Sequence, residues 1–182
     1  MNKPPLFESD TYHHLYNRGA NKQNIFYDKN DYEYFLKKMK EYKTKYQIEI
    51  ISYCLMPNHF HIFIHQLTKE GLGSKFIGDL INSYTKTINK KYQRTGVLFG
   101  SRTKSKIVYS GSDFKLLVKY ILLNAVKANL VNKFYDWEFS SAKEFLELVK
   151  NDVTDQVILT YFENTEKFIE FIEADEFEDF EN

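Results

Sequence analysis

His59 and His61 stand two apart in the stretch Leu55-Met56-Pro57-Asn58-His59-Phe60-His61-Ile62-Phe63-Ile64-His65. Such a run of large apolar residues predicts a buried strand, on which residues two apart share a face. Both imidazoles then project side by side, while Phe60, Ile62 and Ile64 pack the opposite face. Two neutral imidazoles on a rigid element can fill two positions of a divalent metal and leave the rest open to substrate. The competing reading of a strand histidine is a hydrogen-bonded core or edge residue. His65 continues the same face, but Phe63 interrupts it, so no third histidine follows at the same spacing.

A metal site on two histidines needs a further ligand, and phosphoryl transfer needs a nucleophile. A helix capped by Ser112 or Asp113 and running to about Ala128 is predicted to supply both. Its apolar positions 114, 117, 118, 121, 125 and 128 form one stripe. That leaves Tyr120, Asn124 and Lys127 stacked one above the next on another face. Tyr120 can attack a phosphate as its phenolate, and Asn124 can offer a carbonyl oxygen to a metal. Lys119 and Lys127 can offset the charge of a nucleic-acid backbone.

The elements that must hold these groups follow from the pattern of the chain. Residues 11–18 read as a short strand ending in the turn Gly19-Ala20-Asn21. Asn30 or Asp31 can cap a helix running to about Tyr46. A second strand over 47–55 is broken by Pro57-Asn58 and is close enough to the histidine strand, 59–66, to pair with it as a hairpin. A helix over about 74–92, a turn at Thr95-Gly96 and a strand around 104–109 come next. The body, residues 1–160, reads as one domain, and residues 161–182 as an acidic, Phe-rich helix and tail. Short strands alternating with helices around a central hairpin predict an α+β fold with a mostly antiparallel sheet.

Composition narrows the class. At 182 residues and 43% hydrophobic, the chain can bury a core as one domain. No apolar run is long enough to span a bilayer, and Met1-Asn2-Lys3-Pro4-Pro5 carries no signal-peptide stretch. The single Cys54 excludes an internal disulfide framework. A soluble cytoplasmic protein with no membrane partner is expected.

The formal net charge of zero conceals an asymmetry. Residues 75–133 hold twelve Lys and Arg against Asp79 and Asp113, whereas from Tyr161 onward nine acidic residues face Lys167 alone. A basic middle of this size points to a polyanion, nucleic acid above all. The aromatics within it, Tyr84, Tyr92 and Phe99, are available either to stack on unpaired bases or to pack the core.

At this point the residues resemble a known family. His59-Phe60-His61 after Leu55-Met56-Pro57-Asn58 resembles the histidine-hydrophobe-histidine (HUH) motif of single-tyrosine transposases acting on single-stranded DNA. The branch it resembles is that of the REP-associated tyrosine transposases, related to the transposases of small insertion sequences. Tyr16-Asn17-Arg18-Gly19, Ile25-Phe26 with Asp31-Tyr32, and Asn89-Lys90-Lys91-Tyr92 through Gly96-Val97-Leu98-Phe99 to Arg102 and Lys104 resemble successive motifs of that branch. Tyr120-Ile121-Leu122-Leu123-Asn124 resembles its nucleophile helix, and Trp137 with Ser140-Ser141 its closing motif. The chain departs from the branch at Ala125-Val126, where Pro-Val is common, and at Gly100-Ser101, where Gln-Gly is usual.

The resemblance implies a ferredoxin-like antiparallel sheet with helices packed on it, the HUH nuclease fold. It implies Mg²⁺ or Mn²⁺ held by His59, His61 and Asn124, and a transient 5′-phosphotyrosine bond through Tyr120. Some relatives carry Gln in place of Asn124, whose shorter amide leaves room for a water before the metal. Arg18, Lys90, Lys91, Arg94, Arg102, Lys104, Lys119 and Lys127 are the expected contacts to single-stranded or hairpin DNA. The resemblance further implies a bacterial, nucleoid-associated enzyme working as monomer or homodimer. Intact His59, His61, Tyr120 and Asn124 argue against a cleavage-deficient regulator. A third reading, a metal phosphohydrolase using water, predicts that Tyr120→Phe leaves activity largely intact.

Overall fold

The computed structural model describes residues 7–68, 72–109, 111–149, 152–155 and 157–174. Strands β1 (Thr11–Arg18), β2 (Ile48–Met56), β3 (His59–Gln66) and β4 (Lys104–Val108) form one antiparallel sheet in the order β2-β3-β1-β4. Helix α1 (Lys29–Tyr46) links β1 to β2, and α2 (Leu72–Lys91) links β3 to β4. The succession βαββαβ with this strand order is the ferredoxin-like arrangement, as expected from the sequence. Beyond it come α3 (Gly111–Lys127), the short α4 (Ala142–Phe145) and α5 (Thr165–Glu173).

One face of the sheet is a dry core. Leu15, Phe60, Ile62 and Ile64 are fully buried there, against Phe35 and Met39 of α1 and Phe76, Leu80 and Tyr84 of α2. The helical residues recur every three or four positions, which turns a single stripe to the sheet. Helix α1 starts two or three residues earlier than a cap at Asn30 or Asp31 would set it. Asp28 is the cap: its carboxylate accepts from the Asp31 amide, and the Asp31 carboxylate accepts from the Asp28 amide. This reciprocal arrangement satisfies two N-terminal donors at once.

The other face carries α3, laid over β2 and β3, with α5 packed on the outside of α3. Phe168 and Ile172 of α5 are fully buried with Phe145, next to the nearly buried Phe134. Part of the terminal segment set apart in the sequence reading is therefore packed core. Its helix begins at the Asn164 cap rather than at Tyr161. Asp175, Glu176, Glu178, Asp179 and Glu181 lie outside the described residues. The edge of β2 is covered by the Trp137–Ser141 segment: Leu55 N donates to Phe139 O, Ser141 N to Tyr53 O, and Trp137 Nε1 to Leu55 O. This pairing covers the edge of β2 at Tyr53–Leu55.

Candidate active site

The pleat of β3 sets His59 and His61 on the α3 side of the sheet, their ring centroids 5.2 Å apart and near perpendicular at 87°. Helix α3 crosses above them. Tyr120 meets the His61 ring edge-on, with centroids 5.3 Å apart, and is only 4% exposed. One turn on, Asn124 Oδ1 lies 3.4 Å from His59 Nε2. A further turn on, Lys127 Nζ stands 6.0 Å from the centre of the Tyr120 ring.

The hydrogen-bond network orients the groups. Asn58 Nδ2 donates to Lys22 O, which turns Asn58 Oδ1 toward His59 Nδ1 at 2.6 Å. His59 therefore donates from Nδ1, and in its neutral form Nε2 keeps a lone pair. Asn124 Nδ2 donates to Tyr120 O at 3.1 Å, which turns the Asn124 carbonyl oxygen toward that lone pair. Two acceptors facing each other are unfavourable unless a proton or a cation lies between them. Among the described residues no group of three or more His, Cys, Asp or Glu is assembled for a metal. The donor set is two imidazoles and an amide, which suits a cation that keeps positions for water and phosphate oxygens.

These side chains line an open cleft of about 620 Å³, rimmed by Arg18, Lys104 and Lys127, with Tyr16 and the backbone of Gly19 and Gly100 completing it. Its outer wall is tied to the end of β1: Gly100 N donates to Arg18 O, Ala20 N to Leu98 O, and Asn17 Nδ2 to Ser101 O and Thr103 Oγ1. Gly19 is required here, because a Cβ would stand 2.1 Å from Gln23 O. Arg102 is exposed and lines an adjacent hollow that shares Tyr16, Ser101 and Lys104 with the cleft.

Several expected DNA contacts are engaged elsewhere. Lys119 is buried and points away from the cleft, its Nζ donating to Phe171 O and Ala174 O at the end of α5. A cation suits a helix C-terminus, where carbonyl groups lack partners. Lys91 Nζ lies 2.8 Å from both Asp28 and Asp31, which raise its pKa against the opposing effect of burial. Arg94 donates to the Tyr27 hydroxyl, and Lys90 is exposed on the last turn of α2. None of Lys90, Lys91, Arg94 and Lys119 lines the cleft. The aromatics resolve toward packing as well. Tyr84 donates to Ile25 O from within the core, Phe99 packs on Phe60, and Tyr92 donates to Asp28 and Asp31.

Two residues next to the site escaped sequence reasoning. Asn58 orients His59, and His14 of β1 lies against His61, with His14 Nε2 2.9 Å from His61 Nδ1. Burial lowers both pKa values: that of His14 falls to about 3, with Lys106 adding to the effect. That of His61 falls well below the ordinary range, with His14 and His59 as further causes. Both rings are therefore neutral at pH 7. The signal for His14 was its presence in a strand of large residues, but only pairing of β1 with β3 gives it a neighbour.

A solved structure of a REP-associated tyrosine transposase bound to a REP hairpin superposes with a TM-score of 0.69, at 17% identity, over 85% of this chain and 93% of that one. That likeness establishes the fold, a ferredoxin-like antiparallel sheet with helices packed on it. A candidate transposase from Deinococcus radiodurans overlaps more loosely, with a TM-score of 0.46 at 14% identity over 66% of this chain and 95% of that one. No curated protein sequence matches. The sequence model of the family described as "Transposase IS200 like" matches residues 8–122, well over half of the chain and all four strands. The chain belongs to the IS200-like transposase family.

Proposed function

We propose that the protein nicks and rejoins single-stranded DNA next to hairpin-forming sequences through a 5′-phosphotyrosine bond on Tyr120. The observation that carries this reading is the convergence of Tyr120 and Asn124 from α3 with His59 and His61 from β3 in one basic-rimmed cleft. A structure of similar fold holds a REP DNA hairpin, which supports hairpin DNA as the partner here.

In the nicking step the Tyr120 oxygen bonds to phosphorus and the bond from phosphorus to the 3′ oxygen breaks. The phenolic proton leaves the tyrosine, and the departing 3′ oxygen takes up a proton. A 3′ hydroxyl attacking the phosphotyrosine reverses these changes and joins strands, so the phosphodiester is conserved. A Mg²⁺ or Mn²⁺ held by His59, His61 and Asn124 would supply Lewis-acid polarisation of a non-bridging phosphate oxygen. The chain's own residues do the rest. Helix α3 fixes Tyr120 against the His61 ring, and near-complete burial limits its freedom. Lys127, 6.0 Å from that ring, favours the phenolate, whose parent phenol has a pKa near 10. Arg18 and Lys104 on the rim offset the charge of flanking phosphates. The protein acts on DNA in the bacterial cytoplasm, as monomer or homodimer.

The test is nicking of a DNA hairpin with single-stranded flanks in Mg²⁺ or Mn²⁺, with His59→Ala, His61→Ala and a chelator as controls. Nicking by the wild type that all three controls abolish is expected. Hairpin binding by the wild type with no nicking under any metal would replace this reading with a DNA-binding regulator on the same fold.

A further inference from the structure

His14 is buried to 1% exposure beside the site and has no part in the chemistry described above. It sits diagonally across the ladder from His61, since β1 pairs with β3 through Tyr16 opposite His61 and His14 opposite Phe63. The two rings lie close to parallel, at 23°, with centroids 5.1 Å apart. Of the two His14 nitrogens, Nε2 faces His61 Nδ1 at 2.9 Å, while Nδ1 is buried with no hydrogen-bond partner among the described residues. A buried imidazole that leaves one nitrogen unsatisfied costs free energy. Its side-chain hydrogen bond among the described residues is the one with His61.

That contact can hold its proton in two ways. If His14 donates, neutral His61 carries its own proton on Nε2 and cannot ligate a cation. If His61 donates from Nδ1, its Nε2 keeps the lone pair a cation needs. We propose that His14 is a positioning residue that accepts the Nδ1–H of His61 and so presents His61 Nε2 to a divalent cation. The proposal rests on the reading of His59 and His61 as metal ligands. Ligating histidines as a rule donate their other N–H to an acceptor that fixes tautomer and ring orientation. His59 follows that rule with Asn58, its neighbour in the β2–β3 turn, at 2.6 Å. His61 finds its acceptor across the sheet instead. The Tyr120 ring stands edge-on to both His61 and His14, with centroids 5.3 and 6.1 Å away, so the same contact holds the nucleophile's packing surface.

The experiment uses the full chain with Mn²⁺ as probe, read by calorimetry, alongside ¹⁵N imidazole spectra in saturating Mg²⁺. His14→Phe keeps an aromatic ring and removes the acceptor, whereas His14→Gln places an amide oxygen near the Nε2 position. Mn²⁺ affinity is expected to fall about 10–100-fold in His14→Phe and to return to within about threefold of wild type in His14→Gln. Hairpin binding in chelator should be unchanged in both. Wild-type His61 should be protonated on Nδ1 and bare on Nε2 in the Mg²⁺ spectrum. Unchanged Mn²⁺ affinity in His14→Phe, with the wild-type affinity itself removed by His59→Ala, overturns the proposal and leaves the metal reading standing. So does a His61 found protonated on Nε2 in Mg²⁺, a result that needs no variant to fold. A wild type with no Mn²⁺ affinity that His59→Ala removes overturns the metal reading and the proposal together.

Discussion

On the face of β3 turned to α1 and α2, Phe60, Ile62 and Ile64 all sit in one apolar core and are fully buried. On the face turned to α3, the same strand presents His59, His61, Phe63 and His65, and these have three different fates. His59 and His61 join Tyr120 and Asn124 at the cleft. Phe63 packs on Phe114 and closes the apolar stretch between α3 and the sheet. His65, beyond it, is held by Glu49 at 2.7 Å and Asp10 at 2.9 Å. One face packs core along its whole length, and the other meets the proposed active site at one end only. Phe63 divides the pair at the cleft from the third histidine, which Glu49 and Asp10 hold.

The largest effect that separates the two faces should come from single truncations on each. His61→Ala is expected to lower hairpin nicking by at least about a thousandfold while the folded protein remains, because it removes a group acting with the nucleophile as a unit. Phe60→Ala, one position away, should do the reverse. It is expected to cost about 3–5 kcal/mol of unfolding free energy, with the nicking rate of the folded fraction retained. Denaturant unfolding and single-turnover nicking of both variants check the pair. Equal effects on both quantities in both variants would break the comparison.

A second separation uses pH. Burial lowers the pKa of His13 from the ordinary 6.5 to about 4, and His14 and His61 are also lowered. Below about pH 6.5 the unfolded chain takes up protons that the folded chain refuses, so stability present above that pH is lost as pH falls. For His13 the loss levels off below about 4, where the folded protein also takes its proton. Thermal midpoints between pH 7.5 and 4.5 should fall, and His13→Gln should flatten the fall. A midpoint independent of pH in this window would contradict buried neutral histidines.

Smaller effects lie farther from the strand. Asp31→Ala strips the acceptor from the amides of Tyr27 and Asp28 and should cost about 1–3 kcal/mol, measured by denaturant unfolding. Arg18→Ala should weaken hairpin binding and reduce the slope of log affinity against log salt by about 1, the signature of one lost phosphate contact. The same substitution at Lys119 should leave that slope unchanged, since its ammonium serves α5.

The strands and the histidine face were legible because a period of two needs only local sequence. Tyr120 and Asn124 were legible because four residues make about one helical turn. The long-range part was not. Lys119 neighbours Tyr120 in sequence, yet a rotation of about 100° per helical residue turns it to α5. Lys91 and Arg94 look like a basic patch until the end of α2 meets the start of α1, where Asp28, Asp31 and Tyr27 engage them. His14 has a role only when β1 and β3 pair. The terminal segment's charge concealed Phe168 and Ile172, whose spacing of four gives α5 its buried stripe.

The central claim is that Tyr120 bonds covalently to the 5′ phosphate of nicked DNA. The direct measurement incubates the protein in Mg²⁺ or Mn²⁺ with a hairpin labelled at its 3′ end, or separately at its 5′ end, and resolves products on a denaturing protein gel. The account predicts a labelled band at protein mass with the 3′ label alone, mapping to the Tyr120 peptide and absent in Tyr120→Phe. Nicked DNA with no protein-linked label, or a linked band that survives Tyr120→Phe, would contradict it.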